Sequence, residues 1–250
     1  VPMSGHSKWA TTKRKKAKID QARAKVWNRV SKELTVAARM GGDDVEGNPR
    51  LRMAVVKAKA VNMPAKNIET AIQKGAGKLE GANYEEVVYE GYGPGGFAIL
   101  LECVTDNKNR TVGEVRNLFA KNGGNLGAEG AVAWMFDEKG RVGVQAPGLT
   151  EDEATELAIE VGGEDVQLAE DGWEILTAPD DLAAVSKAVE AKKLVVTAAE
   201  FIRIPKNTVK ISDEDVARVQ KLLDILDDQD DVQNLYSNVE FSDAALEAMD

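Results

Sequence analysis

The chain has 250 residues, 43% hydrophobic and 30% charged, with a formal net charge of -10; this is an ordinary composition for a folded protein, and the length suits two domains or three small ones. No apolar run approaches the ~18 residues of a membrane span, and the N-terminus lacks the apolar core of a signal peptide. The single cysteine, Cys103, excludes an intrachain disulfide, so a reducing cytoplasm is the expected location.

Val1-Pro2 precede Met3 and read as a cloning remnant before a natural start. Charge is unevenly spread: residues 1–78 hold 18 Lys and Arg against 6 Asp and Glu, a balance of +12, and residues 79–250 hold 14 against 36, a balance of -22. Such a split suggests a polyanion partner for the basic part. The plainer reading is a basic head that pairs with its own acidic body.

Over about the first 18 residues there is no apolar period, and Lys8, Lys13, Arg14, Lys15, Lys16 and Lys18 repel one another, so a mobile arm is expected. A helix follows, with Ile19, Ala22, Val26, Val30, Leu34 and Ala37 or Ala38 on one face and Gly41-Gly42 ending it. Asn48-Pro49 reads as the N-cap and first position of a second helix carrying Leu51, Ala54, Val55, Ala58 and Val61. A third starts near Pro64, turns Ile68 and Ile72 inward and stops at Gly75. Three short amphipathic helices predict a small bundle over 1–80.

The pattern then changes. Tyr84–Tyr92 and Phe97–Thr105 read as strands joined by a Gly-rich turn, Thr111–Asn122 as a helix and Ala131–Phe136 as a strand. From Arg141 to Pro205 a strand, a helix, two strands, a helix and a strand succeed one another, which is the βαββαβ order of a ferredoxin-like unit. NTVKI, DEDVARVQKLLDIL and DVQNLYSNV then supply elements that would complete the lobe begun at Tyr84. The predicted class is α+β, with domains over 1–80, 81–137 joined to 206–245, and an inserted 138–205.

Little points to catalysis. GYGPGG matches the spacing of a dinucleotide loop, but that chemistry needs a helix next, and the apolar strand FAILLECV follows. His6 is the only histidine and Cys103 the only thiol, so no His/Cys metal cluster is available; no metal, no cofactor and no enzymatic activity are expected. Cys103 reads as a small buried residue. TDNKNRT (105–111) has two readings. Asn109 or Thr111 caps the following helix and that alone explains the loop, or Lys108 and Arg110 make a secondary phosphate contact there. DILDDQDD (224–231) lacks the glycine and terminal Glu of a calcium loop and reads as a solvated helix end, with a docking face for a basic partner as the alternative.

The arm carries the strongest signal. His6, Lys8, Trp9, Lys13, Arg14, Lys15, Lys16, Lys18, Arg23, Lys25, Arg29 and Lys32 are the candidate nucleic-acid contacts. The cations would track phosphates. Trp9 would stack on a base or wedge into a groove, or else fold back on the bundle. KRKK (13–16) also has the form of a nuclear-localisation run, without other signs in support.

GHSKW, GGDDVEGNPRL, YEGYGPGG, TDNKNRT, NGGNLG, WMF and LLDILDDQDDVQNLYSN together resemble the YebC/PmpR family from Met3 to about Asp243. The resemblance implies three lobes: a three-helix bundle, then two α/β lobes with the third inserted in the second. It also implies a DNA-binding transcriptional regulator, or a translation activator acting at the ribosome. Many members carry a second histidine where this chain has Arg14, which keeps the charge, loses the imidazole and favours phosphate contact over acid–base work. The acidic lobes would be repelled by a long polyanion, which favours a ribosomal pocket of RNA and basic protein. A protein-binding adaptor, docking a basic partner through those lobes, is the third expectation.

Overall fold

The computed structural model describes residues 19–169, 172–242 and 244–245, with side chains from Ala24 onward. It is mixed α+β, with seven α-helices among the described residues and two four-stranded antiparallel sheets. Two compact units form. The first takes the chain through Glu33, then Gly81–Asp137, then the chain from Pro205; the second takes Leu34–Glu80 and Glu138–Ile204.

The second unit begins with the later turns of α1 (Ile19–Gly41), followed by α2 (Pro49–Ala60) and α3 (Ala65–Gly75). Leu34, Ala37, Leu51, Ala54, Ala58, Ile68 and Ala71 are buried, as the apolar stripes require. Asn48 is buried and caps α2: its Oδ1 accepts from the Leu51 amide at 3.1 Å, while its Nδ2 donates to Ala37 O and Gly42 O, each at 2.8 Å. Helices α1 and α3 approach so closely at Gly75 that a Cβ there would lie 2.2 Å from the carbonyl oxygen of Thr35.

The rest of this unit is β4 (Phe136–Gln145), α5 (Glu151–Val161), β5 (Asp165–Ala169), β6 (Gly172–Thr177), α6 (Leu182–Ala191) and β7 (Val195–Pro205). The strand order is β5-β6-β4-β7, and β4 pairs antiparallel with β6 from Gly140 opposite Thr177 to Val144 opposite Trp173. That is the split βαββαβ arrangement expected from the order of elements. Val142, Val144, Trp173 and Ile175 from the sheet pack with Leu157 and Val161 of α5 and Val185 and Val189 of α6. Thr150 and Glu153 form a full capping box at the start of α5.

In the first unit, β1 (Glu85–Tyr92) and β2 (Ala98–Thr105) form a hairpin in register from Glu85 opposite Thr105 to Tyr92 opposite Ala98. The turn closes through the Gly93 amide donating to Phe97 O at 2.9 Å, and Gly95 and Gly96 take φ of +84° and +81°. A strand, not a helix, follows the glycines, which leaves nothing to hold a pyrophosphate. Helix α4 (Lys108–Lys121) comes next, then the two-residue β3 (Asn125–Leu126) against β1. After the second unit's segment come β8 (Val209–Lys210), α7 (Val216–Asp227), β9 (Val232–Ser237) and β10 (Val239–Glu240). Strand β9 pairs antiparallel with β2, while β8 and β10 form a short parallel pair. One core joins Phe97, Ile99 and Leu101 of β2 and its turn to Val115 and Phe119 of α4, and to Val219, Leu222, Leu223 and Leu226 of α7.

Two local expectations are corrected. Ala131–Phe136 is not a strand: Ala133–Met135 is one 3-10 turn, and only Phe136 enters β4. The buried Glu90 carboxylate accepts the amides of Gly130, Val132 and Ala133, each at 2.7 Å, and so takes donors that a sheet ladder would need. The cap of α4 is Asn107, whose Oδ1 accepts from the Arg110 amide at 3.0 Å, and neither Asn109 nor Thr111.

Candidate nucleic-acid interface

In the first unit, Lys25, Arg29 and Lys32 recur at four- and three-residue spacing, which sets them on one face of α1. That face meets the C-terminal end of α7 and the turn into β9. Lys25 Nζ lies 2.8 Å from Asp228 Oδ1 and 2.6 Å from Asp227 O. Arg29 Nη2 lies 3.1 Å from Asp227 Oδ1 and also contacts Asp227 O. Lys32 Nζ reaches Asp231 Oδ1 at 2.7 Å, Asp230 O at 2.9 Å and Val104 O at 3.1 Å. Free carbonyls at a helix C-terminus carry partial negative charge, so carboxylates and helix end attract the cations together.

The innermost pair is the centre of a buried network. Lys32 is 5% exposed and Asp231 is 3% exposed. The other carboxylate oxygen of Asp231 accepts from Arg110 Nη2 at 2.8 Å, Thr111 Oγ1 at 2.8 Å and Thr105 Oγ1 at 3.2 Å. The Lys32 ammonium also stands 5.6 Å from the centre of the Tyr84 ring. Burial alone would raise the Asp231 carboxyl; the hydrogen bonds from Lys32, Arg110 and Thr111 outweigh it and hold the group well below the usual carboxylate range. Burial lowers the Lys25 ammonium, opposed by its bond to Asp228.

The predicted contacts therefore divide. His6, Lys8, Trp9, Lys13, Arg14, Lys15, Lys16 and Lys18 lie outside the described residues, as does the Arg23 side chain. Lys25 and Arg29 share a face at the rim of an acidic patch. Lys32 is a correction: its three donors are spent on interior acceptors, so it has no surface amine to offer a phosphate. Lys108 sits 2.5 Å from Glu85, and Arg110 bridges Asp106 at 2.9 Å and Asp231 at 2.8 Å. Both cations beside the α4 N-terminus are thus ion-paired. In the second unit's helices, Lys59, Lys66 and Lys74 are exposed.

Asp227, Asp228 and Asp231 were missed as partners of α1. The acidic run at 224–231 was visible, but nothing in it says that its counterpart lies some 200 residues earlier; the complementary spacing of Lys25, Arg29 and Lys32 was the available signal. Cys103 is buried and its thiol is pushed up to about 12 by burial, which makes it a poor nucleophile. Among the described residues, no group of three His, Cys, Asp or Glu could hold a metal ion, and no helix is long and apolar enough to cross a membrane.

Comparison with known proteins agrees with this architecture. Residues 7–78 match the family model described as the TACO1/YebC protein N-terminal domain, and residues 84–239 match the TACO1/YebC second and third domain. A probable transcriptional regulatory protein of Pelotomaculum thermopropionicum is 52% identical over 243 residues, covering 96% of this chain and 100% of that protein. One from Desulforapulum autotrophicum is 51% identical over 247 residues, covering 99% and 100%. The crystal structure of a conserved hypothetical protein from Aquifex aeolicus superposes with a TM-score of 0.84 at 47% identity, over 91% of this chain and 94% of that one. The chain belongs to the TACO1/YebC family.

Proposed function

We propose that this protein is a non-enzymatic, nucleic-acid-binding regulator of gene expression, and specifically a DNA-binding transcriptional regulator whose basic N-terminal segment contacts phosphate. The carrying observation is charge segregation, +12 over residues 1–78 against -22 over residues 79–250. The face of α1 that continues the basic segment adds two cations, Lys25 and Arg29, which pair with Asp228 and Asp227 of the same chain. Relatives of about half identity are named probable transcriptional regulatory proteins, which supports the transcriptional form. In this reading His6, Lys8, Trp9, Lys13, Arg14, Lys15, Lys16, Lys18, Arg23, Lys25 and Arg29 make the contact, and the protein works in the cytoplasm. Such contacts position a protein on a duplex and carry little base information.

One observation favours a second reading, a translation factor that binds ribosomal RNA. A body with a balance of -22 repels a long uniform polyanion but tolerates a site where RNA alternates with basic protein. A pure protein adaptor is less favoured, since the acidic stretch at 227–231 already holds cations of its own chain.

Co-sedimentation with ribosomes at near-physiological salt, with and without excess random duplex DNA, separates these readings. The transcriptional reading expects the protein to stay in the supernatant or to be stripped off by the DNA. Stoichiometric pelleting that DNA does not reverse would replace it with the ribosomal one. Binding to neither would leave the adaptor.

A further inference from the structure

We infer that the acidic end of α7 is an intramolecular stand-in for phosphate on the basic face of α1, so that nucleic acid and residues 227–228 compete for Lys25 and Arg29. The inference rests on the nucleic-acid reading above and adds a latch to it.

The acceptors at this end are carboxylate oxygens and the Asp227 carbonyl, clustered as anionic oxygens are along a phosphate backbone. The contact is graded from inside to outside. Lys32 and Asp231 have side chains 6% and 5% exposed, and Arg110, Thr111 and Thr105 hold the same carboxylate, so this pair is a fixed anchor. Lys25 and Asp228 are 26% and 65% exposed, so water and salt reach this outer pair and weaken it. Arg29 is incompletely engaged. It binds the end of α7 through Nη2, and its buried Nε has no hydrogen-bond partner among the described residues. A guanidinium is shaped for two parallel bonds to one anion, and opening of the contact with α7 would bare the buried Nε edge, which Asp227 leaves unused, to a phosphate.

While the outer pairs are closed, two cations are withheld from any polyanion, and the apparent affinity falls by the closed fraction. Opening them releases Lys25 and Arg29 for phosphate while Lys32 keeps α1 seated.

The test compares the full-length protein with Asp227→Asn/Asp228→Asn, measuring affinity for random duplex DNA over a series of salt concentrations. Asp152→Asn/Glu156→Gln on the exposed face of α5 removes two charges elsewhere and serves as control. The latch predicts tighter binding by Asp227→Asn/Asp228→Asn and a slope of log K on log salt steeper by about 2, since each added phosphate contact contributes about -0.9. The control should not change the slope, and in a Lys25→Gln/Arg29→Gln background the two Asp changes should give no gain. An unchanged slope overturns the latch, as does an equal gain in the control or in that background. If the wild type binds DNA and the Asp changes are silent, the latch alone falls; if it binds neither DNA nor ribosomes, the nucleic-acid reading falls and takes the latch with it.

Discussion

Asp231 answers several groups at once. From the turn before β9 it neutralises a buried lysine of α1, receives two threonine hydroxyls and an arginine, and so joins α1 to the end of β2 and the first turn of α4. Asp231→Asn would leave the Lys32 ammonium buried without its charge partner, at a cost of about 3–5 kcal/mol; urea unfolding at neutral pH measures it. The same group sets an acid dependence. Its folded-state pKa lies below the unfolded value of about 3.9, so its stabilisation is fully present above that value and is lost as pH falls below it. The wild type should lose stability on acidification below about pH 4, and the Asn variant should show a shallower fall over the same range. Equal acid sensitivity in the two would show that Asp231 does not carry the effect. Pairing of the basic head with the acidic body is legible as one reading of the charge split, but in the sequence Lys32 reads as one more cation on a basic face, because burial by segments over 70 residues away leaves no local trace.

At the scale of elements, legibility followed locality. The starts of α2 and α3 and the turn between β1 and β2 were read correctly because Asn48-Pro49, Pro64 and the glycines of GYGPGG act on their own neighbours. Asn48→Ala should cost about 1–2 kcal/mol as a lost cap, and more through the buried carbonyl of Ala37 that loses its donor. Thermal unfolding measures it, and a cost under half a unit would deny Asn48 this role. The segment before β4 has the apolar letters of a strand, while the deciding group, Glu90, sits on β1 about 40 residues away. Glu90→Gln has one acceptor oxygen where the carboxylate has two, so at least one of the three amides loses its partner and faces an NH2 group instead, for a loss of about 2 kcal/mol. Trp134 reports on it. Its indole is 62% exposed and donates to Ala131 O at 3.2 Å within the same turn. The fluorescence anisotropy of that indole should fall in Glu90→Gln. Unchanged stability and anisotropy would mean that the turn holds itself.

For the whole molecule, the α+β class and the βαββαβ succession could be read from the alternation of periods, since each element shows its own. The pairing of β2 with β9 could not, because register between strands some 130 residues apart is set by the shared core of α4 and α7. Charge segregation was legible at once, but its internal resolution was not. Part of the basic surplus turns inward, where Lys25, Arg29 and Lys32 answer the acids at and just after the end of α7. The proposed nucleic-acid binding requires electrostatic contact between the N-terminal segment and phosphate. Its most direct test is a salt titration of duplex-DNA affinity for the wild type and for Lys13→Ala/Arg14→Ala/Lys15→Ala/Lys16→Ala. With about six phosphates neutralised, log K should fall with log salt at a slope near -5, and the variant should bind more weakly across all sequences with a slope flatter by about 3–4. Salt-independent binding, or a variant that binds as the wild type does, would contradict it.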